Sequence, residues 1–574
     1  MPTEHFIPGK DASLEHTIAA MQSRLAALGF DVEECSWLNP VDNVWSVHVR
    51  NRACHLMFTN GKGASRLAAQ ASALGEFFER LSCNYFWNHY YLGAAVANRE
   101  FAHYPRERWF PAVDAGWPAD LLTPELQAFY NPEGSIPAEA LVDLNTGHFE
   151  RGICAIPYVR QRDGAEVFFP VNIISNLYVS NGMSAGNTPA EARAQALSEI
   201  LERHVKFKVI GEGLCLPDVP EEVIARYPAI AAGIAGLREA GFGIRVKDAS
   251  LGGHYPVMCV TMLNPHDQGV FASFGAHPRV EIALERALTE LLQGRALEAL
   301  DGFPPPGFDL DEVASAPNIE IHFVDSSGIV HWNFLNEEAD FEFIDWNFSA
   351  STRDDYAWLC DRIHADGHDI YVADFEHLGV YACRILVPGM SEIYPVDDLE
   401  WENNSNGAVL RPAILNLAGL DDDDCGQLLD LINEMNLADE RPVAALIGLA
   451  PDPGSLWADL RVGELKTLLA LAIGDTGAVL EGCEWIRQFD QLDAGRRRVY
   501  RCIATLLEMD DPNPYEDALV DLYGDETLDL ATDLIDGEVR FFGLASPGPD
   551  LEGCELHRRL LAEYAKTHPL AVNA

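Results

Sequence analysis

Lysine is scarce in this chain: only 7 of its 40 basic residues are lysines, against 89 acids and a formal net charge of −49. A large nucleic-acid footprint is excluded by that balance, because a phosphate backbone is held by clustered positive charge. Low lysine with a large acid excess suits a salt-adapted cytoplasm. No apolar run reaches the roughly 18 residues a membrane helix needs, so no membrane span is expected. The N-terminal stretch "MPTEHFIPGKDASLEHT" lacks a signal-peptide core and already carries Glu4 and Asp11. The 12 cysteines never form a C-x-x-C pair, which fits reduced, buried thiols in a cytoplasmic protein better than disulfides or zinc. No G-x-x-x-x-G-K-[ST] occurs, which excludes a P-loop.

Self-similarity is present instead. "ASALGEFFER" (71–80), "AQALSEILER" (194–203) and "ERALTELLQGR" (285–295) share one pattern: small residues, an acid, two apolar residues, then Glu or Gln. Each follows a β-rich run and a glycine-containing loop, and Gly61 and Gly275 precede Glu76 and Glu290 by the same spacing. Read as helices, these segments put Glu76 with Glu79 and Glu199 with Glu202 on shared faces, since positions three and four apart are neighbours. A solvated, ion-paired face accounts for one such helix, through Glu199 with Arg203 and Glu202 with Lys206. It does not account for Glu76 and Glu79, position 83 being a cysteine. Three convergent copies would gather five carboxylates, counting Glu290, which divalent cations stabilise. "NTPAE" predicts a helix start with Thr188 as cap and Glu191 closing a capping box, while Gly182 and Gly186 would let phosphate approach the backbone. Arg80, Arg203 and Arg286 could offset phosphate charge. Together these point to a nucleotide with Mg²⁺. "GMSAG" (182–186) fits the G-x-S-x-G of a serine hydrolase, the competing reading.

The first 400 or so residues alternate strand-like runs with amphipathic helices. "NVWSVHVR", "ACHLMFTN", "VFFPVNIISNLYVS", "YPVMCVTML" and "VYACRILVPG" read as β-rich. From about Asn404 the β-rich runs vanish. The division expected is 1–405 for the nucleotide-binding part and 406–574 for an acidic helical part, with "DDDD" (421–424) a solvated turn. A cut near Asn404 is expected to leave a folded first part.

Those helices and loops, with "FIPGKDASLEHTI", "WLNPVDNVWSVHVR" and "EHLGVYACRILVPGMSEIYP", resemble the YcaO family over nearly the whole chain. The resemblance implies an α+β fold, repeated strand-loop-helix units around an ATP/Mg²⁺ cleft, followed by an all-α, tetratricopeptide-like domain. It implies ATP-driven activation of a backbone amide carbonyl by phosphoryl or nucleotidyl transfer. Matching positions give Glu76, Glu79, Glu199, Glu202 and Glu290 as magnesium ligands. They give Lys10, Thr17, Ser72, Ser184, Asn187, Glu191, Arg203 and Arg286 as ATP contacts. Glu76, Glu199, Glu202 and Arg203 are the expected catalytic set. The chain ends "HPLAVNA" rather than in the Pro-x-Pro-x-Pro of heterocycle-forming members. That favours the free-standing type, an accessory factor in β-methylthiolation of a small-subunit ribosomal protein. The implied partners are that protein or its methylthiotransferase, with the chain as a homodimer. An ATP-dependent adaptor without turnover is the alternative.

Overall fold

The computed structural model describes residues 4–99, 102–113, 116–489 and 492–571. One unit recurs in it: a helix, an antiparallel three-stranded sheet, and a second helix laid along that sheet. The first comprises α1 (Leu14–Leu28), β1 (Val32–Val41), β2 (Val44–Asn51), β3 (Phe58–Gly63) and α2 (Arg66–Ser82). Next come β4 (Arg108–Phe110), β5 (Ile153–Arg160), β6 (Glu166–Pro170) and β7 (Met183–Gly186), which leads into α3 (Pro189–Gly211). The second unit is α4 (Pro228–Glu239), β8 (Gly243–Asp248), β9 (Val257–Leu263), β10 (Val270–Ala276) and α5 (Val280–Leu291). Finally α6 (Thr352–Ala365), β11 (Tyr371–Phe375) and β12 (Tyr381–Leu386) complete a six-stranded sheet ordered β4-β5-β11-β12-β7, with β6 also paired to β5. The third unit is thus assembled from distant pieces, α6-β11-β12 meeting β7-α3 from far upstream.

The equivalence extends to single atoms. Gly61 lies opposite Val47, and Gly275 opposite Met258. A Cβ on Gly61 would stand 2.0 Å from the Ala69 carbonyl oxygen, and one on Gly275 would stand 2.3 Å from that of Ala283. Glycine is therefore required where each helix lies flat on its strand. Two residues earlier, the Thr59 hydroxyl donates to the Ala73 carbonyl (2.9 Å) and the Ser273 hydroxyl to that of Ala287 (2.8 Å). In the third unit Ser184, opposite Cys383, holds the place of these glycines.

Two sequence readings change. "VFFPVNIISNLYVS" stops being strand at Pro170 and winds into helical turns over 171–178. An apolar run buried on all sides has no periodicity to tell strand from helix. Asp421 to Asp424 form no loop: Asp421 caps the helix Asp422–Glu434 through a capping box with Asp424, where carboxylates meet the positive end of the helix dipole.

After β12 the described residues contain no further strand; helices run to 571. The last, Glu555–Ala571, returns to the first unit, where Leu560 and Tyr564 share a core with Phe77, Phe78 and Trp87. Among the described residues no helix is long and apolar enough to cross a membrane. All 12 cysteines are free, and only Cys35 is exposed.

Candidate active site

α2, α3 and α5 bring their glutamates round one half-buried lysine. Lys62, on β3, is paired with Glu290 of α5. Its ammonium is pushed down to about 8 by burial, although Glu202, Glu76 and Glu199 oppose that shift. Glu76 is paired with Arg80 and Glu199 with Arg203, the latter at 2.7 Å. Glu76 therefore has an i, i+4 partner, contrary to the sequence reading. Glu202 accepts from the Ala276 backbone N–H (3.1 Å) and makes no pair with Lys206. Lys206 turns the other way, to the His322 carbonyl and the Ser326 hydroxyl. Glu79 lies well above the usual carboxylate range, through burial and then through repulsion by Glu199 and Glu76. Glu199 is also raised, chiefly by burial, with Arg203 opposing. The third helix carries Gln293 where its relatives carry a second acid, and that amide donates to the Asn60 carbonyl.

The N-terminal segment joins this cleft through Glu191. Lys10 Nζ stands 3.3 Å from Glu191 Oε1, and the Asp11 N–H donates to Oε2 at 2.9 Å. Asn187 Nδ2 reaches both oxygens, and Thr17 Oγ1 donates to Asn187 Oδ1 at 3.0 Å. Thr188 does cap α3, accepting from the Glu191 N–H. The return half of the expected capping box is missing because the Glu191 carboxylate is engaged across the chain. Arg286 donates to Gln195 Oε1 (2.9 Å), linking α5 to α3. Arg203 also donates to Asn181 Oδ1 (3.1 Å). Ser72 is exposed on α2.

Gly182 serves packing rather than phosphate: it has φ +76°, and a Cβ there would meet the Ile385 carbonyl oxygen at 2.1 Å. The hydrolase reading fails at the same place. Ser184 lies inside β7, opposite Cys383 and 1% exposed. A nucleophile elbow needs its serine exposed on a turn.

Among the described residues no three acid, histidine or cysteine side chains stand together as a metal-holding group. Lys62, Arg80 and Arg203 have drawn Glu290, Glu76 and Glu199 onto themselves. The residues nevertheless suit a magnesium nucleotide. The Ser184 hydroxyl and Arg80 Nε are buried without partners, and Glu79 and Glu199 are held above their ordinary range by burial and then by neighbouring carboxylates, both of which a divalent cation would offset. Lys62 was not singled out in the sequence, where "NGKGAS" draws attention to its glycines. Its signal is rarity, as one of 7 lysines placed inside a repeated loop.

Residues 60–391 match the family model described as YcaO cyclodehydratase, ATP- and Mg²⁺-binding. Residues 407–571 match that of the YcaO cyclodehydratase C-terminal domain. The chain is 49% identical to the Escherichia coli K12 protein named ribosomal protein S12 methylthiotransferase accessory factor YcaO, over 98% of each. It is 47% identical to an uncharacterized Haemophilus influenzae protein, over 99% of this chain and 98% of that one. Of solved structures, YcaO from Methanopyrus kandleri bound with AMPPCP and Mg²⁺ is similar with a TM-score of 0.42 and 18% identity, over 68% of this chain and 95% of that one. A heterocyclase in complex with substrate and cofactor gives 0.46 and 16%, over 69% and 56%.

Proposed function

The chain belongs to the YcaO family, an ATP- and Mg²⁺-binding family, and from that premise we propose that it activates a backbone amide carbonyl at the expense of ATP. The acceptor in this reading is a small-subunit ribosomal protein undergoing β-methylthiolation, or a complex of that protein with its methylthiotransferase. The observation that carries it is the gathering of Glu76, Glu199, Glu202 and Glu290 around Lys62 by three quasi-equivalent helices, with Glu79 beside Glu199 and Glu76.

In this proposal those five acids hold magnesium, whose charge offsets that of the phosphates. Lys10, Thr17, Ser72, Ser184, Asn187, Glu191, Arg203 and Arg286 hold the nucleotide. Arg80 and Arg203 each keep one acid oriented by an i, i+4 pair, so the carboxylates are placed before the nucleotide arrives. The amide oxygen attacks phosphorus, an O–P bond forming as the bridging P–O bond breaks and the bond's electrons leave with ADP in phosphoryl transfer or with pyrophosphate in nucleotidyl transfer. The site contributes position and charge rather than a nucleophile of its own. Residues 1–405 carry this chemistry. Residues 406–574, with tetratricopeptide-like stacking of acidic helices, serve contact with the client, and the chain works in the cytoplasm as a homodimer.

Calorimetry with AMPPCP and Mg²⁺ tests the site. Glu202→Gln should weaken nucleotide binding by about 100-fold in magnesium, as loss of an ordering metal contact does, and abolish ATP turnover. Unchanged affinity would reject the reading. The relative's name, accessory factor, favours a second one: an ATP-gated adaptor. ATP-dependent capture of client without turnover would select it.

A further inference from the structure

Two arginines of the acid cleft end under aromatic rings on its rim. The Arg80 guanidinium lies 5.5 Å from the centre of the Tyr85 ring, and that of Arg203 lies 4.8 Å from the centre of Phe323. Phe323 belongs to the helix Ala316–Val324, whose Glu320 accepts a 2.7 Å bond from the Tyr394 hydroxyl. The rim continues into the single turn Asp398–Trp401. Large apolar side chains are exposed along it: Val324 is 71%, Trp401 69% and Ile321 44% exposed. Such a gathering beside a cleft marks a contact surface.

Acids stand on the same two elements as these apolar residues, Glu320 on the helix and Asp397 and Asp398 at the turn. Asp398 is pushed up to about 6, by burial and then by Asp397, Glu402 and Glu320, so the four carboxylates share one field. Glu402 has a 3.9 Å contact with Arg441. Glu320, Asp397 and Asp398 pair with no lysine or arginine among the described residues. The missing counter-charge defines the occupant. A nucleic acid or an anionic membrane would be repelled, and a second copy of this chain, at −49, would bring like charge to like.

We propose that this rim seats a basic polypeptide in extended form, its lysines or arginines against Glu320, Asp397, Asp398 and Glu402 and an apolar side chain between Val324 and Trp401. The identification of that polypeptide as the amide acceptor rests on the function proposed above; the docking itself does not. A backbone bound along the rim runs past Phe323 and Tyr85, which touch the arginines that orient Glu199 and Glu76. Its carbonyls are thereby delivered to the acid cleft, where proximity replaces a bimolecular encounter.

Fluorescence anisotropy of a short labelled peptide of lysines and leucines, titrated with full-length protein without nucleotide, tests the proposal. Val324→Ser with Trp401→Ser, and separately Glu320→Gln with Asp397→Asn and Asp398→Asn, should each weaken binding about tenfold or more. Only the second set should flatten the salt dependence, and AMPPCP–Mg²⁺ affinity should stay unchanged in both. Undiminished peptide binding in both variants overturns the proposal. So does an equal loss on neutralising the exposed acids Glu337 and Glu338, which would mark unspecific charge attraction. Failure of wild-type protein to bind AMPPCP would sink the ATP reading and leave the peptide result standing.

Discussion

Glu79 has no ion pair of its own among the described residues; burial, and then repulsion by Glu199 and Glu76, disfavours its charge. Below the ordinary glutamate value, about 4.3, the side chain is neutral folded or unfolded, and replacing it with Gln costs nothing. As the pH rises through the raised folded value, the charged form destabilises the fold. Glu79→Gln should therefore raise the melting temperature by about 2–4 °C at pH 8 and leave it unchanged near pH 4, in magnesium-free buffer. Saturating Mg²⁺ and AMPPCP should erase the gain. A pH-independent effect would show that the ionised carboxylate is not the cause. Lys62 gives the complementary case, because it is a cation set among the acids and paired with Glu290. Lys62→Met should lower apo stability by on the order of 1–3 kcal/mol, the cost of leaving partners unmet, and Mg²⁺ should restore it. A loss that magnesium does not reverse would make Lys62 purely structural. The acids were legible because three helices repeat them at fixed spacing. Lys62 was not, because in the sequence nothing but its rarity marks it. The counter-ions of Glu76 and Glu202 depended on where Arg80 and Lys206 turn, which helical spacing alone does not decide.

At the scale of the element, the glycine on the strand decides how deep two of the glutamate helices, α2 and α5, sit. Gly61→Ala would press a methyl group against the Ala69 carbonyl and the Ala73 N–H, the latter only 2.4 Å from its Cβ. The cost should be about 3 kcal/mol or more, with α2 lifted from β3 and nucleotide affinity lost. Gly275→Ala should behave alike, its Cβ standing 2.4 Å from the Ala287 nitrogen. Gly75, within α2 itself, has nothing within 4 Å of an added Cβ, so Gly75→Ala should stabilise by roughly 0.5–1 kcal/mol. Denaturant melts of the three variants separate close packing from helix propensity; equal effects at Gly61 and Gly75 would refute the packing account. The first two units could be read in sequence, since strand, loop and helix are consecutive in each. The third was half hidden. "SNGMSAGNTPAE" announces β7 and α3, but nothing near it says that β12, from far downstream, pairs with β7.

For the whole molecule, the decisive contact is the return of the last helix to the first unit. The Trp87 indole N–H donates to the Leu560 carbonyl (3.1 Å), and Asn51 Nδ2 donates to Glu563 Oε2 (2.7 Å). Lys566 Nζ donates to the Gly29 carbonyl (2.9 Å). His557, pushed down to about 4 by burial, bridges the Ala450 N–H and the Tyr91 carbonyl. Further back, Arg411 donates to the carbonyls of Leu144 and Ile447. Phe77 and Phe78, which Leu560 and Tyr564 cover, sit between Glu76 and Glu79 on α2. The tail therefore backs the very helix that carries two of the five acids. An amphipathic helix declares an apolar face in its sequence without naming what covers it, so the change to all-helix near Asn404 was legible and this closure was not. It reverses the expectation for a cut near Asn404. Burial of a single large apolar side chain contributes about 1.5–3 kcal/mol, so losing both Leu560 and Tyr564 takes a large share of the 5–15 kcal/mol that typically holds a domain. A chain ending at Asn404 should be insoluble or molten, while Leu560→Ala in the full chain should cost about 2–5 kcal/mol and loosen AMPPCP binding with it. Size-exclusion chromatography and calorimetry decide the matter: a monodisperse 1–404 fragment that binds AMPPCP like the full chain would show that the acid cleft stands without its helical support.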